Sequence, residues 1–252
     1  SGIVFVGSRP PVSFFAYPEK ESYLTPKESK IVILSSPEQN GLFALNCLVD
    51  ETDAQKIDKQ FLQSKIDEIP KSGKLDTSNL GLLISNLMPE DSIVSDEAAT
   101  SSFLVTPHAL KAKPHDWLCL TGGSIGQGLP LAIGAAIAKP DRPVITLHGD
   151  GGAMYTVQSL WTQARENLNI TNIIFANHSY EILKIELSRV GAVKTGDRAD
   201  SMFSLDNPKL DWIKLSESMG VPCYEPNTVE EFKKIFSACV KEAGPSTILV
   251  QI

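Results

Sequence analysis

"HGDGGAMYTVQSLWTQARENLNITNIIFANHSY", residues 148–180, decides the fold. An aspartate stands among glycines at its start, Gly149-Asp150-Gly151-Gly152, and Asn177 opens its polar end. "PVITLH" before the glycines and "NIIFA" before the asparagine are short apolar runs rich in β-branched residues. Between them, "TVQSLWTQARENL" (156–168) repeats apolar residues at helical spacing. The stretch therefore reads as strand, helix, strand. Asp150 and Asn177 are 27 positions apart, a length that suits a parallel crossover. If the two strands pair, both residues emerge at one carboxyl edge, where open α/β sheets bind ligands.

Outward from this unit the alternation continues. "SIVSDE" and "DWLCLTGG" read as strands, and "DTSNLGLLISNLMP" and "SIGQGLPLAIGAAIAK" as helices. Downstream, "YEILKIELSRVG", "LDWIKLSESMG" and "TVEEFKKIFSACVKEAG" read as helices, and "VPCY" and "STILVQI" as strands. Such alternation predicts an α/β fold over residues 75–252, a parallel sheet flanked by helices. Residues 1–51 read as a fragment of a second α/β domain. It has strands at "IVFV" (3–6), "VSFFAY" (12–17) and "KIVILS" (30–35), then an amphipathic helix at 40–51. The polar segment 52–74 reads as a linker, helical and then a loop. Residues 192–208 have no clear period and read as a mobile loop that closes over ligand.

Charge and composition exclude several classes. The net charge of −7, with no Lys/Arg run, argues against nucleic acid as a partner. The longest apolar stretch, "LPLAIGAAIA", is about half a membrane span, which argues against a membrane protein. Four cysteines with no C-x-x-C pair read as buried thiols of a cytoplasmic protein.

A carboxylate and an amide oxygen side by side are hard donors that suit Mg²⁺ or Ca²⁺ rather than zinc. Mg²⁺ is usually completed by water and substrate phosphates. Gly149, Gly151 and Gly152 let the backbone approach closely, and the helix after them offers its N-terminus to an anion. Together these describe a metal-bridged diphosphate site. The competing reading of the turn alone is a capping aspartate. No G-x-x-x-x-G-K-[ST] occurs, and "GGSIGQG" has its glycines at the wrong offsets for a dinucleotide fingerprint.

"LTGGSIGQGLPLAIGAAIA" followed by "GDGG…FANHSY" resembles, in order and spacing, the signatures of thiamine-diphosphate-dependent enzymes of the acetolactate synthase and benzoylformate decarboxylase group. "GSRPPVSFFAYPEK" resembles the late part of the central domain of the same enzymes. The resemblance implies thiamine diphosphate and Mg²⁺ as cofactors. Asp150, Asn177 and the backbone carbonyl of Ser179 would hold the metal. Gly149, Gly151, Gly152, Ser124 and Tyr180 would bind the cofactor, with Thr100 on the other side of the diphosphate. Gly123 would offer its carbonyl to the aminopyrimidine. Ile125 would be the bulky residue under the bent cofactor, the alternative being an ordinary core residue.

The implied reaction is decarboxylation of a 2-keto acid such as pyruvate and carboligation to a second carbonyl. The alternatives are a benzoylformate-type decarboxylase or a non-catalytic relative that binds the cofactor or a nucleotide. The resemblance also implies a homodimer or tetramer, for which the small residues Gly126, Gly128, Gly134, Ala135 and Ala136 would allow close approach, the alternative being packing inside the subunit. In this family an N-terminal domain supplies the activating glutamate. Nothing here matches it, so the chain resembles the second half of such an enzyme, and the catalytic residue is expected outside it. Glu97, Glu181 and Glu186 fall near the diphosphate edge, not at the pyrimidine end. FAD is not readable, since the central domain would hold it. The family often has an asparagine where Ala176 stands. His178 is either a cofactor neighbour or an exposed loop residue. Leu183, Ile185 and Glu186 either line a substrate pocket or simply pack a helix.

Overall fold

Six parallel strands build the main sheet of the computed structural model, which describes residues 2–55, 67–192 and 196–252. The strands are β3 (Ser92–Glu97), β4 (His115–Leu118), β5 (Val144–Gly149), β6 (Ile170–Ala176), β7 (Cys223–Tyr224) and β8 (Ser246–Gln251), in the order β4-β3-β5-β6-β8-β7. Every residue of β6 is buried, as is expected of a parallel strand covered on both faces. Side chains alternate across it. Ile173 and Phe175 join Val94, Ile145, Leu147, Ile248 and Val250 in one cluster, under α2 (Leu80–Leu87), α3 (Ser102–Ala109) and α10 (Val229–Cys239). Ile174 and Ala176 join Leu249 in the other, under α4 (Gly128–Ala138), α6 (Ser159–Arg165) and α9 (Trp212–Ser218). Some polar residues within the central strands are matched, although both ring nitrogens of the buried His148 lack a hydrogen-bond partner among the described residues. Asn172 accepts from Thr146 Oγ1 at 3.0 Å and donates to Gln163 Oε1 at 2.8 Å and to the Ser246 carbonyl at 3.0 Å.

The chain divides into two units. One comprises Ser1–Gln63 and Glu186–Lys194, the other Ser64–Ile185 and Thr195–Ile252. The first holds β1 (Gly2–Val6) paired in parallel with β2 (Lys30–Ser35), and α1 (Gly41–Thr52), capped by the Asn40 side chain on Phe43 N–H. Phe14 and Phe15 are exposed, and the expected strand at 12–17 reduces to one antiparallel bridge, Val12 to Tyr23. Pro10, Pro11 and Pro18 bracket the run, and proline fixes φ and offers no N–H to a ladder. In the linker, residues 56–66 lie outside the described residues.

Other expectations are corrected in detail. The helix read from Ser124 starts only at Gly128, because Gly122, Gly123 and Gly126 take positive φ. The helix read over 156–168 is shortened to α6, and ahead of it stand α5 (Asp150–Ala153) and a 3₁₀ turn at Met154–Thr156. Asn167, at φ 49°, stops α6 in the left-handed manner. Helix α3, with Pro107 inside, had no sequence signal strong enough to read. Within 192–208 lies a short helix, α8 (Asp197–Ser201), and Ser204 bridges to Ser179, so this segment is partly built; residues 193–195 are outside the described residues. The cysteines are free as expected, but Cys47 and Cys119 are exposed and only Cys239 is fully buried.

Candidate functional site

The strand order locates the site before any side chain is considered. From β3 the chain moves outward to β4, whereas from β5 it moves the other way to β6. Between the carboxyl ends of β3 and β5 the direction reverses, and such switch points are where parallel sheets open a crevice. A cleft of about 100 Å³ lies there. The end of β3 contributes Glu97 through Ser101, the end of β5 contributes Gly149 through Gly152 and Tyr155, and the end of β6 contributes Asn177, Ser179 and Tyr180. Ile125 comes from the turn before α4, and Ile182 and Leu183 from α7 (Glu181–Arg189).

Strands β5 and β6 pair in register, Gly149 opposite Phe175, so Asp150 and Asn177 leave the sheet side by side. Asp150 is 1 % exposed. Its Oδ2 accepts the His178 N–H at 2.9 Å and its Oδ1 the Gly151 N–H at 3.0 Å. Burial raises the Asp150 carboxyl above its ordinary value, and these N–H groups pull it partly back. The Asn177 Oδ1 accepts the Ser179 N–H at 3.0 Å, closing a turn that holds Asn177 and Ser179 together. His178 has φ 51°, a left-handed value that is uncommon outside glycine and asparagine. It is not an exposed loop residue: its side chain is 17 % exposed and its Nε2 lies 2.8 Å from Gln251 Oε1. Ala99, at φ 50°, makes the corresponding bend after β3.

Gly151 packs against the Tyr180 ring. A Cβ on Gly151 would lie 2.6 Å from Tyr180 Cε1, so no side chain fits. Burial, Tyr155 and Asp150 together hold the Tyr180 hydroxyl above its ordinary value.

Of the residues singled out in the sequence, Thr100, Ile125, Gly149, Asp150, Gly151, Gly152, Asn177, Ser179 and Tyr180 come together around this one cleft. Gly123 and Ser124 do not line it; they sit on the 3₁₀ turn ahead of Ile125. Ile125 is 42 % exposed, so it is not a core residue. Leu183 lines the cleft, whereas Ile185 and Glu186 do not, and Glu186 accepts a hydrogen bond from Tyr17 at 2.6 Å. Sequence reasoning passed over Tyr155, Ile182, Ala98, Ala99 and Ser101. The signal for the β3 residues was strand pairing: once β3 lies beside β5, whatever follows Glu97 must share the edge with Gly149. Among the described residues, no three His, Cys, Asp or Glu side chains gather as a metal cluster.

The comparisons with known proteins agree with this geometry. Residues 99–250 match the C-terminal TPP binding domain of thiamine pyrophosphate enzymes. The "Putative acetolactate synthase large subunit IlvX" of Mycobacterium tuberculosis is 42 % identical over 251 residues, which are 99 % of this chain and 48 % of that protein. Benzoylformate decarboxylase of Pseudomonas aeruginosa is 30 % identical over 151 residues, 60 % of this chain and 27 % of that protein. The fold superposes on a thiamine diphosphate-dependent 4-hydroxybenzoylformate decarboxylase of Rhodococcus jostii RHA1 with a TM-score of 0.75, at 23 % identity, over 99 % of this chain and 48 % of that one. The chain spans about half the length of the mycobacterial relative. With most of the sheet and its carboxyl edge inside the matched range, the chain belongs to the thiamine pyrophosphate enzymes, of which it carries the C-terminal cofactor-binding domain.

Proposed function

We propose that this chain is the cofactor-binding part of a Mg²⁺- and thiamine-diphosphate-dependent enzyme of the acetolactate synthase type, which decarboxylates pyruvate and joins the product to a second 2-keto acid. One observation carries the reading: a buried carboxylate, Asp150, emerges beside an amide, Asn177, at the switch point of a parallel sheet. The residues suit the groups. Asp150, Asn177 and the Ser179 carbonyl offer three oxygens, and a divalent cation would offset the burial that raises the Asp150 carboxyl. Phosphate oxygens and water would complete the shell. Gly151 and Gly152, without side chains, would present N–H groups to the diphosphate between Thr100 and the Tyr180 ring. Gly149 and Ser124 would flank the cofactor, the Gly123 carbonyl would receive the aminopyrimidine, and Ile125 would support its bend.

When bound, thiamine diphosphate supplies the nucleophilic carbon and the electron sink that decarboxylation of a 2-keto acid requires. The chain's residues orient and shield it. Ile125, Tyr155, Ile182 and Leu183 give the cleft an apolar wall that would shield the reacting carbons of a bound cofactor from water. The same apolar wall, together with the similarity to benzoylformate decarboxylase, favours one second reading, a decarboxylase of aromatic 2-keto acids. Product analysis separates the two. The full-length protein given pyruvate with both cofactors is expected to form acetolactate. An aldehyde from benzoylformate with no acetolactate from pyruvate would select the second reading, and no cofactor binding at all would refute both.

A further inference from the structure

We propose that Glu97 is a positioning residue for the cofactor's bend: its carboxylate clamps the turn between Gly123 and Gly128 and so fixes where Ile125 stands. The inference rests on the thiamine diphosphate reading and assigns a role to a residue that binds neither metal nor diphosphate in it. Glu97 is the last residue of β3, and its side chain is 1 % exposed. Both of its oxygens are engaged by backbone. Oε1 accepts the Gly126 N–H at 2.5 Å and Oε2 the Gly128 N–H at 2.6 Å. The carbonyls of the same two glycines are also engaged. Gly126 accepts from Thr156 Oγ1 at 2.8 Å, and Gly128 from Ser95 Oγ at 2.9 Å. The two residues flanking Gln127 are thus held at both their N–H and their C=O.

This conformation does not hold itself. Gly126 has φ +93°, and a Cβ there would come within 3.0 Å of Tyr155. A Cβ on Gly128 would lie 2.3 Å from Nε2 of His148, which is fully buried 3.6 Å from Glu97 Oε2. Burying a carboxylate is costly unless its hydrogen bonds are made. Here both are made to one turn, and charge-assisted bonds of this kind are short and directional. The residue next to the clamp is Ile125, whose side chain is left half-exposed in the cleft. Rigid support behind, and an unsupported side chain in front, is the arrangement a ligand-shaping residue needs.

The test separates the two ends of the ligand. In Mg²⁺, the full-length protein and its Glu97→Gln variant are titrated calorimetrically with thiamine diphosphate and with inorganic diphosphate. Amide exchange at Gly126 and Gly128 is followed in parallel. The glutamine sets an NH₂ group against one of the two N–H donors. Exchange at both glycines is expected to quicken, and thiamine diphosphate affinity to fall about tenfold, the scale of one buried unmade bond. Inorganic diphosphate affinity should stay within about twofold, since P–O contacts lie elsewhere. Equal weakening of both ligands, or quicker exchange with unchanged thiamine diphosphate affinity, overturns the role given to Glu97. A wild type that does not prefer thiamine diphosphate over diphosphate overturns the underlying reading instead. Should Glu97→Gln not fold, Thr156→Val removes the bond on the Gly126 carbonyl and carries the same expectation with a smaller loss.

Discussion

Asp150 concentrates the chemistry of the cleft in one side chain. Its carboxylate is buried, raised by that burial, and held by two backbone N–H groups that are themselves part of the site. Asp150→Ala is expected to remove Mg²⁺-dependent thiamine diphosphate binding, a loss of roughly 2–5 kcal/mol or tens- to thousands-fold. Calorimetry in Mg²⁺ checks it, and wild-type affinity in the variant would refute the assignment. A second residue-scale expectation is read out as stability. Gly128→Ala forces a methyl into the space of the buried His148 ring, so denaturant unfolding should show a loss of about 1–3 kcal/mol. An unchanged midpoint would mean the ring yields freely. Of the small residues read as serving either association or packing within the chain, Gly128 packs inside it, while Gly134 faces open space.

Helix α10 shows what an element's ends contribute. Its Thr228 side chain caps the Glu231 N–H, and Glu231 reaches back to the N–H groups of Asn227 and Thr228. Thr228→Ala should cost about 1 kcal/mol in denaturant unfolding. The same N–H groups hold the Glu231 carboxyl below its ordinary value. A carboxyl depressed by folding stabilises above its unfolded pKa and ceases to do so as pH falls through its folded one. The melting temperature of wild type should therefore exceed that of Glu231→Gln at pH 7, and the gap should close below about pH 4. A gap independent of pH would mean the carboxylate charge is irrelevant. Elements of this kind were legible in the sequence because the signals were local, as in the continuous apolar run of β6. What was not legible depended on partners distant in sequence. The late start of α4 requires Glu97 to take the N–H groups of Gly126 and Gly128, about 30 residues away, and nothing near Ser124 reveals it. Similarly, Asp150 and Asn177 were readable as a pair from crossover length, whereas Ala99 entered the cleft only once β3 lay beside β5.

At the scale of the whole molecule, the cofactor-binding unit is complete as a sheet, with both faces covered. What the resemblance implies, and the proposed function carries, is an activating carboxylate supplied by another domain. On the proposed reading, a polypeptide of residues 1–252 should bind Mg²⁺ and diphosphate yet show pyruvate decarboxylation lower by about 10²–10⁴-fold than a full-length relative, the usual worth of a positioned proton transfer. Equal turnover would place that carboxylate within this chain. The cleft rests on β5 and β6, each of which is paired on both sides. Opening either strand end means tearing two ladders, so exchange of its amides must wait for the sheet to unfold. On the proposed reading, an anion arriving there would meet strand ends that need no assembly. The rate of capture is then set by diffusive encounter, and selectivity is expressed in how long the guest remains.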